Sequence, residues 1–237
     1  MSSLLILFGS NGFIGSSVKK NYRKKFDDLI ELDLNSHPNI FDFKENCEIK
    51  IDYDFSKCDK IAIINCSGYN NSVENPIEID NYFSKNEWEM NILLNLTLPF
   101  RISEFGLKIV KKYKIKVDII FLGSLYSSVA PIKSIYRNQK FITKQLGYVA
   151  SKHGLIGLTK ALNSLFEGEN NIRCNTISLG AVFNKKMNKS FLENFRTISG
   201  GELIDVDKTS KFIIDFCFSN WDLIRFDEVK LKNGAFL

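Results

Sequence analysis

Tyr148 and Lys152 stand four positions apart in Tyr-Val-Ala-Ser-Lys, at the head of a segment whose apolar residues Leu155, Leu158, Leu162 and Leu165 recur at helical spacing. On a helix that step places a phenol and an ammonium on one face. A cation beside a phenol favours the phenolate, so Lys152 is expected to lower the pKa of Tyr148 from about 10 towards neutrality. The tyrosine then serves as a proton acceptor for an alcohol or a donor to a carbonyl. A Tyr and a Lys at this spacing also occur by chance on solvated helix faces, so the pair acquires meaning from what accompanies it. Ser124 follows the apolar run Asp118 to Leu122. A parallel strand directs its carboxyl end at bound ligands, and a hydroxyl there can hold a reacting oxygen. Ser127 and Ser128 compete for the same task, and the register after the strand favours Ser124.

A second constellation fits a dinucleotide. The run Leu4 to Phe8 leads directly into Gly9-Ser10-Asn11-Gly12-Phe13-Ile14-Gly15. Glycines at these positions permit a tight turn and bring backbone close to a pyrophosphate at a helix N-terminus. Asp33 follows Gly15 at close to the roughly 20-residue spacing of the acidic residue that takes a ribose 2′-hydroxyl. A carboxylate there repels a 2′-phosphate and no arginine follows it, so NAD is expected over NADP. The plainer alternative is a turn aspartate after a strand.

Strands are expected at Leu4 to Phe8, Leu29 to Leu34, Glu48 to Ile51, Ile61 to Ile64, Asp118 to Leu122, Arg173 to Ser178 and Glu228 to Leu231, with helices between them. Only Tyr53 to Lys60 separate the third strand from the fourth, so the crossover helix between them is reduced to a turn. A long helix is expected from Trp88 to Tyr113. Inside it Pro99 has no amide hydrogen for the carbonyl of Asn95, which leaves that carbonyl free; a plain proline kink is the alternative.

With Asn65, Ser67 and Gly68, then Asn95, then Ser124, Tyr148 and Lys152, the set resembles the short-chain dehydrogenase/reductase family in its single-domain form, over nearly the whole chain. The resemblance implies one Rossmann domain spanning residues 1–237, doubly wound, with about seven parallel strands and helices on both faces. It implies that Asn65, Ser67 and Gly68 line the cofactor, that Asp52 contacts adenine, and that the Asn95 carbonyl holds a water relaying protons to Lys152. It also implies that Lys152 binds ribose, that Gly180 opens the loop after the sixth strand, and that the Val182 backbone meets the nicotinamide carboxamide. Asn184 stands where the family usually has threonine. Family members pair the Tyr148 helix with a symmetry mate, and Gly154 and Gly157 leave its surface flat, so a homodimer or homotetramer is expected. A narrower set, Ser-Leu-Tyr, Ala130-Pro131 and Ile135-Tyr136, resembles the dehydrogenases of bacterial surface-glycan and nonulosonic-acid pathways. Two other readings stay open: a 3-oxoacyl-carrier-protein reductase using NADPH, and a dinucleotide-binding regulator without catalysis.

Composition limits the rest. The chain has 237 residues, 44% of them apolar, without an apolar run long enough to span a membrane. The N-terminal stretch lacks a basic region and reads as a strand, which suggests a cytoplasmic protein. Five scattered cysteines without a Cys-x-x-Cys pair, and two histidines, indicate reduced thiols and no metal site. A net charge of +5 with lysines spread along helices gives no concentrated patch for nucleic acid. After Gly180, however, Lys185, Lys186, Lys189 and Arg196 gather on a segment expected to cover the substrate, and the long connection from Ser124 to Tyr148 adds Tyr126 and Arg137. These cations would draw an anionic polar substrate, such as a sugar phosphate or nucleotide sugar.

Overall fold

The computed structural model describes residues 2–41, 48–70, 83–137, 144–219 and 227–232. Strands β1 (Ser3–Phe8), β2 (Asp28–Leu32), β3 (Lys60–Asn65), β4 (Lys116–Ser124), β5 (Ile172–Leu179) and β6 (Glu228–Leu231) form one parallel sheet in the order β2-β1-β3-β4-β5-β6. β1, β3 and the middle of β4 are continuous apolar runs because both of their faces are covered. Leu4, Ile6 and Phe8 join Ile61, Ile63, Ile119 and Phe121 in one core layer, while Leu5 and Leu7 join Ala62, Ile64, Ile120 and Leu122 in the other. Helices α3 (Leu98–Tyr113) and α4 (Leu146–Leu165) close the first layer; α1 (Phe13–Asn21) and α6 (Val206–Phe216) close the second.

From β1 the chain passes to β2 on one side and to β3 on the other, so the strand order reverses between β1 and β3. That reversal opens a crevice at the carboxyl ends of the two strands, where open α/β sheets bind their ligands.

The described residues contain six strands, not about seven. The expected strand Glu48 to Ile51 is not part of the sheet: Ile49 is buried in the α3-side core and Glu48 pairs with Lys108 of α3 at 2.9 Å. A strand added beside β2 would need a crossover of about a dozen residues to reach β3. The interval here holds only the short turn Phe55–Lys57, capped by Asp54, so the chain runs directly back across the helix layer. Asp52 goes with it and is exposed.

The helix expected from Trp88 to Tyr113 is also interrupted. It divides into α2 (Lys85–Ile92), a π-helical turn Leu93–Thr97, and α3, with the Leu98 N–H donating to the Leu93 carbonyl. Pro99 explains the defect, since it has no N–H to return to the Asn95 carbonyl and the ladder must shift by one residue around it.

After β5, Val182 bridges to Ile204 and the chain enters α5 (Lys189–Ser199). Phe191 and Phe195 of α5 pack with Ile135 and Tyr136 from the connection between β4 and α4, and Asn194 Nδ2 donates to the carbonyls of Ile135 and Arg137. The segment expected to move over the substrate is thus docked onto the long connection. Among the described residues no helix is long and apolar enough to cross a membrane, and no cluster of three His, Cys, Asp or Glu could hold a metal ion. Cys58, Cys66, Cys174 and Cys217 are free thiols, and Cys47 and Gly234 lie outside the described residues.

Candidate active site

The glycine loop fills the crevice between β1 and β3. Gly9 adopts φ +72°, and a Cβ on it would lie 2.6 Å from the Ser67 nitrogen; one on Gly15 would lie 2.0 Å from the Gly9 carbonyl oxygen. Neither position accepts a side chain, because the offending atoms are backbone. Gly12 caps α1 without a side-chain hydrogen bond, and no acidic residue occupies the first turn. The leading N–H groups of α1 therefore face the loop without a protein anion. Ser10 is buried, Asn11 and Phe13 are exposed, and Ile14 packs on the α1-side core. At the end of β2, the Asp33 carboxylate accepts the Asn11 N–H at 3.1 Å and so lies against this loop. Across the crevice, Asn65 Oδ1 accepts the Ser67 N–H at 3.0 Å, and Ser67 Oγ is buried without a hydrogen-bond partner. A cradle that no Cβ can enter, a helix start without an acid, and an orphaned hydroxyl together fit a dinucleotide phosphate and ribose.

Ser124 ends β4 and caps the following turn, with its Oγ accepting the Tyr126 N–H at 3.2 Å and its own N–H donating to Ser127 Oγ at 3.1 Å. The Ser124 hydroxyl also acts on the Tyr148 hydroxyl in the direction that favours the phenolate. Ser127, the competing choice, is occupied in the capping box. Lys152 Nζ lies 5.8 Å from the Tyr148 ring centroid and donates to the Leu122 carbonyl at 2.8 Å. Burial pushes the Lys152 ammonium down to about 8. For Tyr148, burial dominates and raises the pKa, with the Ser124 bond opposing it. The net direction is opposite to the lowering expected from Lys152, because the hydroxyl is withdrawn from water while the ammonium's recorded donation goes to Leu122.

Asn95 occupies the middle of the π turn and is buried, at 1% exposure. Its side chain accepts from the Tyr69 N–H and donates to the Tyr69 carbonyl, both at 2.8 Å, and also donates to Ser151 Oγ of α4 at 3.2 Å. Asn95 thereby ties the Asn65–Gly68 segment to the helix bearing Tyr148, and a Cβ on Gly68 would approach its Oδ1 to 3.0 Å.

The family model of short-chain dehydrogenases matches residues 30–194. The chain belongs to the short-chain dehydrogenase family. Its members are oxidoreductases that use a nicotinamide dinucleotide. A short-chain dehydrogenase/reductase of Colletotrichum higginsianum is 30% identical over 45% of this chain and 35% of its own length; a short-chain dehydrogenase of Penicillium brasilianum is 25% identical over 76% of this chain and 69% of its own length. The match thus spans about a third of the first relative and about two thirds of the second. Among solved structures, a Leptospira borgpetersenii short-chain dehydrogenase with bound NAD+ superposes with a TM-score of 0.75 at 22% identity, covering 99% of this chain and 92% of that one. A 4-hydroxyisoleucine dehydrogenase complexed with NADH gives 0.71 at 23% identity, covering 99% and 98%.

Other residues named from the sequence of this short-chain dehydrogenase lie apart from Tyr148 or are engaged locally. Gly180 N–H donates to the Leu231 carbonyl at 2.7 Å. Asn184 Oδ1 accepts the Lys186 N–H at 3.0 Å, so its amide oxygen serves a turn. Lys185, Lys186 and Arg137 are exposed, and Arg196 pairs with Glu202 at 2.9 Å, which removes it from the expected set of free cations. Tyr126 is held near Tyr148 by a 2.7 Å hydroxyl contact to Tyr136, which is itself wedged against Phe191. Burial raises the pKa of both hydroxyls, Tyr148 adding to the shift. Gly154 does not lie on a free flat surface, since its Cβ position abuts Leu96 at 3.1 Å.

Sequence reasoning missed what lies just before Tyr148. Gln145, the residue before α4, donates to Glu87 and accepts from Asn91 Nδ2 at 2.9 Å, while Tyr69 donates to Glu87 at 2.9 Å. Lys144 places its ammonium 5.6 Å from the Tyr148 ring centroid. The signal was present as Lys-x-x-x-Tyr-x-x-x-Lys, but Lys144 precedes the helical stripe that directed attention to Lys152.

Proposed function

We propose that this chain is an NAD-dependent oxidoreductase that interconverts a secondary alcohol and a ketone on a polar, anionic substrate. The observation that carries the reading is the gathering of Ser124, at the carboxyl end of β4, with Tyr148 and with Lys152, whose ammonium lies 5.8 Å from the Tyr148 ring on the same helix face. Gly9, Gly12 and Gly15, Asp33, Asn65, Ser67 and Gly68 would hold the dinucleotide, with Gly180, Val182 and Asn184 on the nicotinamide side and Asp52 towards adenine. When bound, it accepts or supplies the hydride at the carbinol carbon.

In the oxidative direction Tyr148 takes the alcohol proton as the C–H bond gives up its electron pair; in the reductive direction the phenol returns that proton to the carbonyl oxygen. Ser124 donates to the same oxygen and stabilises its developing charge. Lys152 places a positive charge near the tyrosine and offers its remaining donors to a ribose. Asn95 fixes the register between the crevice and α4, and its carbonyl would take the water that completes a proton path. Asp33 favours NAD, which counts against an NADPH-using acyl reductase. Retention of Ser124, Tyr148 and Lys152 counts against a non-catalytic regulator. The resemblance to surface-glycan dehydrogenases is not carried by the relatives found, so sugar phosphates and nucleotide sugars enter as test ligands along with small hydroxy acids.

The test has two parts. A thermal-shift screen of NAD, NADP and those ligands should show stabilisation by NAD, and further stabilisation by the true substrate class. Tyr148→Phe should then lower kcat by about 100- to 10,000-fold while leaving the NAD Kd unchanged. Near wild-type turnover by Tyr148→Phe would remove the assignment, and tight NADP binding with weak NAD binding would overturn the role of Asp33.

A further inference from the structure

Tyr148 lies between two lysines, four residues before it and four after. Lys152 is accounted for by the Leu122 carbonyl and the ribose role proposed above. Lys144 is not. Its ammonium sits 5.6 Å from the Tyr148 ring centroid and donates to Asn70 Oδ1 at 3.0 Å. Asn70 lies two residues past Gly68 on the chain that leaves β3, so the pair stands where the cofactor crevice meets the tyrosine. An ammonium carries three donors, and one neutral amide oxygen satisfies a single donor without balancing the charge. Among the described residues no carboxylate pairs with Lys144. The side chain is half-buried, and that burial pushes its pKa down to about 8. More exposed lysines pair with acids, as Lys19 does with Glu31 and Lys108 with Glu48 and Glu104.

We propose that Lys144 is a specificity residue, which with Asn70 binds the anionic group of the substrate next to the carbinol held by Ser124 and Tyr148. This deepens the functional reading above and rests on it, while moving the anion from the lid to the floor of the site. Lys144 is half-buried and meets a single neutral acceptor, so an anion there would balance its charge, whereas Lys185 and Lys186 are exposed and already solvated. The nearness of Lys144 to the Tyr148 ring sets the substrate class: the anionic group is separated from the reacting carbon by a short chain, as in a hydroxy acid or a small sugar phosphate. A nucleotide sugar would carry its phosphates too far from the carbinol. Lys144 and Lys152 also divide the two recognition tasks, one cation for the substrate and one for the ribose.

Malonate and inorganic phosphate, neither of which can react, serve as carboxylate and phosphate probes. Each is titrated calorimetrically into the NADH complex of wild type, Lys144→Met, Lys144→Arg and the Lys185→Glu/Lys186→Glu double variant. Lys144→Met should weaken the better probe by about tenfold or more, Lys144→Arg should stay within about threefold of wild type, and the double variant should bind as wild type at moderate salt. The NADH Kd should be the same in all four proteins. Whichever probe binds more tightly names the anion chemistry. Unaltered probe affinity in Lys144→Met, or the main loss falling on the double variant, overturns the assignment of Lys144. Failure of both probes to bind wild type loaded with NADH overturns it as well and leaves the dinucleotide reading standing, whereas failure of NADH itself to bind removes the functional reading beneath it.

Discussion

Lys152 is 7% exposed, and the acceptor that holds its ammonium is a neutral carbonyl. With a folded pKa of about 8 against an unfolded value of about 10.4, the folded state binds this proton less readily than the unfolded chain does. The penalty is fully present below pH 8, is relieved as pH rises from 8 towards 10.4, and amounts to on the order of 3 kcal/mol. Lys152→Met keeps the apolar stem and removes the charge. It should raise Tm at pH 7 while abolishing turnover, and its advantage over wild type should shrink in melts recorded at successively higher pH. A variant less stable than wild type at pH 7 would show that the charge is compensated. The same comparison explains what spacing could and could not reveal at this scale. The placement of Tyr148, Lys152, Ser124, Asp33 and the three glycines around the carboxyl ends of the strands was legible because the proposed roles each call for one residue type at a fixed interval. The upward direction of the Tyr148 pKa was not, because it depends on how much water reaches the hydroxyl, and a four-residue interval carries no measure of that.

The elements that hold these groups apart from one another are fixed at the opposite end of the sheet. Asp118 of β4 and Arg173 of β5 are register partners, joined by contacts of 3.0 and 2.6 Å, and Arg173 also donates to the Phe216 carbonyl at the end of α6 at 2.9 Å. Asp118 is fully buried, and burial raises its pKa against the pull of Arg173. Removing one partner of such a pair leaves the other charge uncompensated, so Asp118→Asn should cost about 3–5 kcal/mol. The double variant Asp118→Leu/Arg173→Met should recover most of that loss, as read from urea midpoints with unchanged m-values. A double variant as unstable as the single one would mean that the pair does more than neutralise itself. Sequence periodicity located most strands and helices well, since β1, β3 and the middle of β4 are apolar runs. It failed at Glu48 to Ile51, where the composition suits a strand but the connection is too short to return a chain from one. It also failed across Leu93–Thr97, where Pro99 predicted a disturbance but not the π turn that accommodates it.

At the scale of the whole molecule, α4 has two faces with different tasks. Inwardly it carries Lys152, Leu155 and Leu162 to the sheet and presses Gly154 against Leu96. Outwardly Ala150, His153, Gly157, Ala161 and Ser164 form an exposed row of mostly small side chains at helical spacing, and a Cβ on Gly157 would meet nothing within 4 Å. Leu165 at 69% exposure and Phe100 at 56% add apolar surface on α4 and on neighbouring α3. A row without bulk allows a second helix to approach closely, and the symmetric solution is the same helix of a second copy. We propose this row as a contact between copies of the chain; on that reading Gly157→Arg and Ala161→Arg should each give a species with the mass of one chain in light scattering where wild type gives a multiple, and should abolish the concentration dependence of Tm. Because the outer row and Tyr148 share one helix, the monomeric variants should also lose kcat. The dinucleotide cradle is built on β1, β2 and β3, so NAD affinity should persist. A wild-type protein that already scatters as a single chain would remove the proposed interface, and arginine variants that stay assembled would place it elsewhere; loss of NAD binding together with kcat would instead indicate that the substitutions disturb the fold.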